Sequence, residues 1–255
     1  MWPYPRLLAH RGGGKLAPEN TLAALRLGWE RGYRAVEFDV MLAGDDIPVL
    51  MHDAQLGRTL AGRGKISNFI AAQLQKMDAG SWFSPVFAGE PVPAYEAAYR
   101  FCIAHGIWMN VEIKPEPGTE RQTGEVVAQL TRRLAAECPE AAGEAPGLPL
   151  LSSFSMEALL AARAAAPEIP RALLVKTVPA DWQQRMKKAG AQALHVQERR
   201  LSAAQAEAVK AAGYGLFCYT VNDPARAATL LSWGVDAFCT DRLDLFDPRS
   251  PAFRP

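Results

Sequence analysis

Two carboxylates lie two residues apart in the apolar stretch Arg34-Ala35-Val36-Glu37-Phe38-Asp39-Val40. β-Branched and aromatic residues bounded by Gly32 and Gly44-Asp45-Asp46 read as a buried strand. Side chains at i and i+2 of a strand share a face, so Glu37 and Asp39 point the same way, lose hydration and repel each other. Such a pair persists when a cation sits between the acids. Glu112 and Lys114 repeat the i, i+2 spacing at the end of a second apolar run, Ile107–Lys114. Three carboxylates form an all-oxygen donor set that suits one Mg²⁺ or Ca²⁺, with Mn²⁺ also acceptable, and does not suit zinc. Simpler readings exist for each part: a wet edge strand for Glu37 and Asp39, or pairing of Glu112 with Lys114 or Arg11.

His10 and His52 are two of the four histidines, and each is followed by a charged residue where an apolar run ends. Two imidazoles beside one site are a natural acid–base pair near neutral pH. Arg11 and Lys114 place two cations beside the three acids, which suggests an anionic substrate, most simply a phosphate. Gly12–Gly14 would let the backbone approach that anion. His105, at a helix end, and His195, in mid-strand, are read as structural. The set describes phosphoryl transfer: cations hold the phosphate oxygens while two histidines exchange protons with the attacking and leaving oxygens.

These residues need elements that bring them together. Apolar runs near Arg6–Ala9, Arg34–Leu42, Ile107–Lys114, Leu150–Phe154, Arg171–Val175, Ala193–Val196, Leu216–Val221 and Ala237–Cys239 alternate with stretches of helical spacing. Such alternation favours parallel strands, and eight units close into a TIM (β/α)8 barrel. An open doubly wound sheet is the alternative, but no GxGxxG follows the first strand. Pro18-Glu19-Asn20-Thr21 opens the first helix, with Asn20 or Thr21 as its cap. Residues 54–92, broken by glycines, read as a small inserted subdomain within a single domain spanning 1–255. Trp82, Phe83, Val86 and Phe87 are read as its core. Residues 140–149 read as a linker and 248–255 as a loose tail. The informative polar residues cluster at strand ends: His10 and Arg11, Glu37 and Asp39, His52, Glu112 and Lys114, Ser152 and Ser153, Gln197, Thr220 and Asn222, and Asp241. In a barrel these ends meet at one mouth.

The bulk properties narrow the classes. With 255 residues and 49% hydrophobic content the chain can bury a large core. A net charge of +1 offers no electrostatic case for nucleic acid or an acidic membrane surface. Four isolated cysteines fit a reducing compartment. Pro3, Pro5 and Arg6 interrupt residues 1–9, so no leader is expected, and no run reaches the ~20 apolar residues of a membrane span. A cytoplasmic protein without stable membrane association follows, either monomer or homodimer.

His10-Arg11-Gly12, Pro18-Glu19-Asn20-Thr21, Glu37-Phe38-Asp39-Val40, His52-Asp53, Val111-Glu112-Ile113-Lys114, Ser153-Phe154, Tyr219-Thr220-Val221-Asn222 and Thr240-Asp241 resemble, in family order and over nearly the whole chain, the bacterial cytoplasmic type of the glycerophosphodiester phosphodiesterase family. The resemblance implies a TIM barrel with an insertion after the His52 segment. It also implies hydrolysis of glycerophosphodiesters to sn-glycerol 3-phosphate and an alcohol such as choline or ethanolamine, through a cyclic phosphate. Under it Glu37, Asp39 and Glu112 match the metal ligands and His10 and His52 the general acid and base. Arg11 and Lys114 match the phosphate-binding cations. Glu19 matches a supporting glutamate just outside the site, Asn222 a second supporting residue, and Tyr219 an aromatic near the glycerol end. Tyr219 stands where the family often has Trp, and Leu243 where it often has Pro. Three rivals stand beside this reading. One is a lysophospholipase D or sphingomyelinase-D-like enzyme on the same barrel, with Trp82, Phe83, Val86 and Phe87 lining an acyl groove. The others are a catalytically silent barrel that binds a phosphorylated ligand and a carboxylate–metal aldolase or enolase-like barrel.

Overall fold

The computed structural model describes residues 2–138 and 147–253. In chain order the strands are β1 (Leu7–His10), β2 (Ala35–Leu42), β3 (Pro48–Leu50), β4 (Trp108–Ile113), β5 (Leu150–Ser153), β6 (Arg171–Val175), β7 (Ala193–Gln197), β8 (Gly215–Tyr219) and β9 (Ala237–Thr240). All but β3 run parallel, and β1 pairs with both β2 and β9, which closes a TIM barrel. β3 folds back antiparallel on β2, with Met41 opposite Val49. Helices α1 (Leu22–Glu30), α3 (Tyr95–Ala104), α4 (Glu120–Glu137), α5 (Met156–Ala165), α6 (Trp182–Ala189), α7 (Ala203–Ala211) and α8 (Pro224–Ser232) wrap the outside, and a short α2 (Ala71–Leu74) lies in the insertion.

Local chemistry explains where these helices begin. Thr21, in extended backbone, caps α1 by accepting the Ala24 N–H, Ser155 does the same for α5, and Ser202 with Gln205 forms a capping box on α7. Pro224 occupies the first turn of α8, where its missing N–H costs nothing. Every residue of β2 is buried, its acids included. Val36, Phe38 and Val40 pack outward against Leu25, Tyr95 and Tyr99 of the helix layer. Strand alternation therefore turns Glu37 and Asp39 inward. Each buried aliphatic or aromatic side chain of this layer contributes ~1.5–3 kcal/mol, and that burial holds the acids in place.

The N-terminal end of the barrel is closed by aromatics. Tyr4 stacks on Trp108 with ring centroids 4.2 Å apart, and Trp2 lies 6.1 Å from both Trp108 and Phe217.

Two expectations are corrected. The small core of the insertion is built from Leu60, Ile66, Ala71, Leu74, Ala79 and Val92 packed on Met41, Val49 and Met51 of the β2–β3 hairpin. The four bulky residues are not in it: Trp82 and Val86 are exposed, and Phe83 and Phe87 are half-buried. Aliphatic side chains fill the thin space over the hairpin, while the Trp82 indole turns out and donates to the Ala79 carbonyl. Next, the tail expected to be loose packs back on the barrel: Phe246 and Phe253 cover Phe238 at 5.4 and 5.8 Å. Residues 248–253 are consequently tied down, and Arg6 also donates to the Ala252 carbonyl. Most of the expected linker, residues 140–146, and the last two residues of the tail lie outside the described residues.

Candidate active site

The barrel register sets the site. His10 lies opposite Glu37, and Asp39 opposite Glu112, on strands β1, β2 and β4. All three acids are buried, and each offers an oxygen within 4.8 Å of the others. At that distance, with an effective dielectric of ~20, each like-charged pair repels by ~3 kcal/mol or more. Burial and the neighbouring Asp39 push the Glu37 carboxyl up to about 7 and Glu112 up to about 8. Burial also acts against Asp39, but Lys114 and Arg11 outweigh it and hold that carboxyl down at about 2. A divalent cation among these oxygens would relieve the repulsion and keep all three ionised, so the donor set fits such an ion.

The predicted cations are there. Lys114 Nζ stands 3.3 Å from Asp39 and 3.5 Å from Glu112. Arg11 Nε lies 3.3 Å from Asp39, and its Nη1 donates to Glu19 at 2.8 Å. Arg11 takes a left-handed backbone at φ 51°, from which its N–H reaches Glu37 at 3.3 Å. A non-glycine residue bears ~1–2 kcal/mol for that conformation. It is held by the Asn20 N–H donating to the Arg11 carbonyl.

Both histidines at the mouth are backed by an aspartate. His10 Nδ1 lies 2.5 Å from Asp241 Oδ1, with its Nε2 3.7 Å from Glu37. His52 Nδ1 lies 2.7 Å from Asp53 Oδ1. Burial lowers the proton affinity of His10, but the Asp241 hydrogen bond and Glu37 overcome it and hold the imidazole above its usual value. His52 is lowered, chiefly by burial. Asp241 is itself fixed by Asn222, whose amide donates to Oδ2 at 2.9 Å and whose oxygen accepts the Asp241 N–H at 2.8 Å. The Tyr219 hydroxyl donates to the Val175 carbonyl at 2.9 Å, and Phe154 meets its ring edge-on at 5.9 Å.

Other predicted residues lie elsewhere or serve the frame. Ser153 gives its hydroxyl to the Ile113 carbonyl. Ser152 is buried with no hydrogen-bond partner among the described residues. His105 donates from Nδ1 to the Phe101 carbonyl and stacks on the Phe101 ring. His195 is wholly buried, 4.5 Å from the Phe217 ring, and neither ring nitrogen has a partner among the described residues. The triple glycine also has another use. A Cβ on Gly12 would lie 2.9 Å from the Leu25 nitrogen, and one on Gly14 would lie 2.3 Å from the Asp241 carbonyl oxygen. Close packing of the first turn on α1 and on the end of β9 demands glycine there.

Four residues take parts in the site that the sequence does not specify, although it does place Asp241 at the barrel mouth. Asp53 and Asp241 orient the imidazoles. Asn20, one of two candidate caps, instead donates to Asp39 Oδ2 at 2.9 Å and accepts the Asp39 N–H at 3.1 Å. Arg58, in the insertion, binds Glu19 and Asp53. The Asn20 amide resembled a cap because Asn so often caps helices; only the barrel contact distinguishes it.

A closed parallel barrel carrying buried acids, paired cations and two aspartate-backed imidazoles at one mouth defines a phosphodiester hydrolase of the TIM-barrel class. The chain belongs to the glycerophosphoryl diester phosphodiesterase family, whose model matches residues 10–245. It is similar to YhdW of Bacillus subtilis, with 30% identity over 93% of this chain and 95% of the relative. It is also similar to a glycerophosphodiester phosphodiesterase of Caldanaerobacter subterraneus, at 28% identity over 92% and 93% of the two chains. Among solved structures, a phosphodiesterase from Oleispira antarctica in complex with the product sn-glycerol-3-phosphate superposes with a TM-score of 0.86 at 36% identity, covering 93% of each chain. No helix among the described residues is long and apolar enough to cross a membrane.

Proposed function

We propose that this enzyme hydrolyses glycerophosphodiesters, such as glycerophosphocholine and glycerophosphoethanolamine, to sn-glycerol 3-phosphate and the free alcohol. Glu37, Asp39 and Glu112 are the ligands of one divalent cation, Mg²⁺ or Ca²⁺, with Mn²⁺ also compatible. The observation that carries this reading is the triangle of buried carboxylates flanked by two imidazoles whose Nδ1 atoms are each engaged by an aspartate. The relative solved with sn-glycerol-3-phosphate supports the same product.

When bound, the cation would draw charge from the phosphate oxygens and lower the barrier to attack at phosphorus. Arg11 and Lys114 hold those oxygens from the protein side. With Asp53 and Asp241 on the Nδ1 atoms, each histidine presents Nε2 to the substrate. His52, whose proton affinity burial lowers, is the one suited to accept the proton of the glycerol 2-hydroxyl as that oxygen attacks. His10, whose imidazole the Asp241 hydrogen bond holds up against burial, is the one suited to donate to the departing alkoxide. The roles reverse when water opens the cyclic phosphate. Tyr219 faces the glycerol end, while Glu19 and Asn222 support Arg11 and Asp241.

Purified protein with Mg²⁺ or Ca²⁺ should release glycerol 3-phosphate from glycerophosphocholine, and chelator should stop it. Failure to release a phosphomonoester from any of a panel of glycerophosphodiesters overturns the reading. A second reading, a lysophospholipase D-like activity, is favoured by one observation: Trp82 and Val86 are 41% and 80% exposed on the insertion. Parallel assays of lysophosphatidylcholine and glycerophosphocholine decide between them.

A further inference from the structure

The two imidazoles are supported in parallel, but by different chemistry. Behind His10, the outer oxygen of Asp241 is taken by the neutral amide of Asn222. Behind His52, the outer oxygen of Asp53 is taken by Arg58 Nε at 2.5 Å. Asn222 and Asp241 follow adjacent barrel strands, β8 and β9, whereas Arg58 is delivered by the insertion. The remaining guanidinium nitrogens both reach Glu19, Nη1 to Oε2 and Nη2 to Oε1, each at 2.7 Å. Glu19 Oε1 in turn accepts from Arg11. One side chain thus ties together the partner of His52 and the partner of Arg11, with the Trp82 ring 5.9 Å from the guanidinium carbon.

We propose that Arg58 is the positioning residue of the His52 half of the site: it clamps Asp53 and Glu19 so that His52 is held as the Nδ1–H tautomer and Arg11 is held toward the phosphate. This rests on His52 taking part in proton transfer. Arg58 is 45% exposed, so its ion pairs contribute little to folding. Its value lies in geometry. A planar guanidinium offers donors in fixed directions, and here they meet two acids at once. A lysine supplies one point charge and can serve only one of them well.

The test uses full-length protein with glycerophosphocholine and Mg²⁺. Arg58→Gln should lower kcat by about tenfold to a hundredfold, the usual range for a lost outer partner, with little change in melting temperature. Arg58→Lys should recover only part of the loss. In an Asp53→Asn background, Arg58→Gln should cost much less than it does alone, because the route through Asp53 is already cut. Long-range ¹H–¹⁵N spectra of the His52 ring read the same point without turnover. They should show Nδ1–H in the wild type and a mixture of tautomers in Arg58→Gln. Full activity of Arg58→Gln, full additivity with Asp53→Asn, a loss of activity that only follows a loss of stability, or an unchanged ring spectrum each overturn the assignment. Wild-type protein that turns over no diester refutes the proposed function instead, and the ring spectra then still decide the role of Arg58.

Discussion

Replacing Asn20 by glycine isolates what holds the central acid in place. Asn20 makes two hydrogen bonds with Asp39, one to the carboxylate and one from the backbone N–H, and it is buried at 4% exposure. A bond to a charged group contributes ~1.5–3 kcal/mol and a neutral one ~0.5–1.5 kcal/mol. Removing both should therefore destabilise the protein by ~2–4 kcal/mol, within a typical total of ~5–15 kcal/mol, so the fold survives. Glycine is the right replacement because Asn20 has φ 57°, where glycine is unstrained. Asn20→Ala should cost ~1–2 kcal/mol more for the same lost bonds, since alanine resists that backbone. Freed of its amide, Asp39 should drift from the other two acids, and ion affinity should fall by about tenfold to a hundredfold. Denaturant unfolding in chelator measures the first effect, and calorimetric titration with Ca²⁺ or Mg²⁺ the second. Wild-type unfolding together with wild-type ion affinity in Asn20→Gly would refute the claim that this amide positions the acid. Lost stability with unchanged affinity would confine its role to folding.

Other outcomes follow from the same geometry. His10→Ala and His52→Ala should each reduce turnover by roughly 10²–10⁴ with circular dichroism unchanged; a fully active His52→Ala removes it from proton transfer. Asp241 is held down at about 2, burial being outweighed by the His10 hydrogen bond. Its contribution to stability is therefore present above the ordinary carboxylate value of ~3.9 and lost as pH falls toward about 2, so Asp241→Asn should flatten acid unfolding in that window. His195 is buried in neutral form, pushed down to about 3 by desolvation. Below ~6.5 the unfolded chain binds its proton and the folded chain does not, so wild-type stability should fall by ~1.4 kcal/mol per pH unit from this group. His195→Phe should remove that slope in urea titrations at pH 4–6, and an unchanged slope excludes the assignment.

Much of this architecture is legible in the residues because its determinants are local. The i, i+2 acids of β2 announce a buried charged face, and β/α alternation announces parallel strands. Caps such as Thr21 and Ser202 mark helix starts through bonds that span three residues. What escapes depends on distance in sequence. Asn20 meets the local rule for a cap, yet a barrel partner nineteen residues on claims its amide. Arg58 sits in a glycine-rich stretch with no periodicity to draw attention to it, and its Glu19 partner lies thirty-nine residues back. Hydrophobicity alone assigned Trp82 and Val86 to a core that smaller aliphatics fill. The run from Pro248 read as loose because nothing local shows that Phe253 will cover Phe238.

The aromatic floor formed by Trp2, Tyr4, Trp108 and Phe217 turns the reaction chamber into a cul-de-sac. Whatever reaches the acids must therefore enter and leave by one doorway, the mouth at the opposite end of the strands.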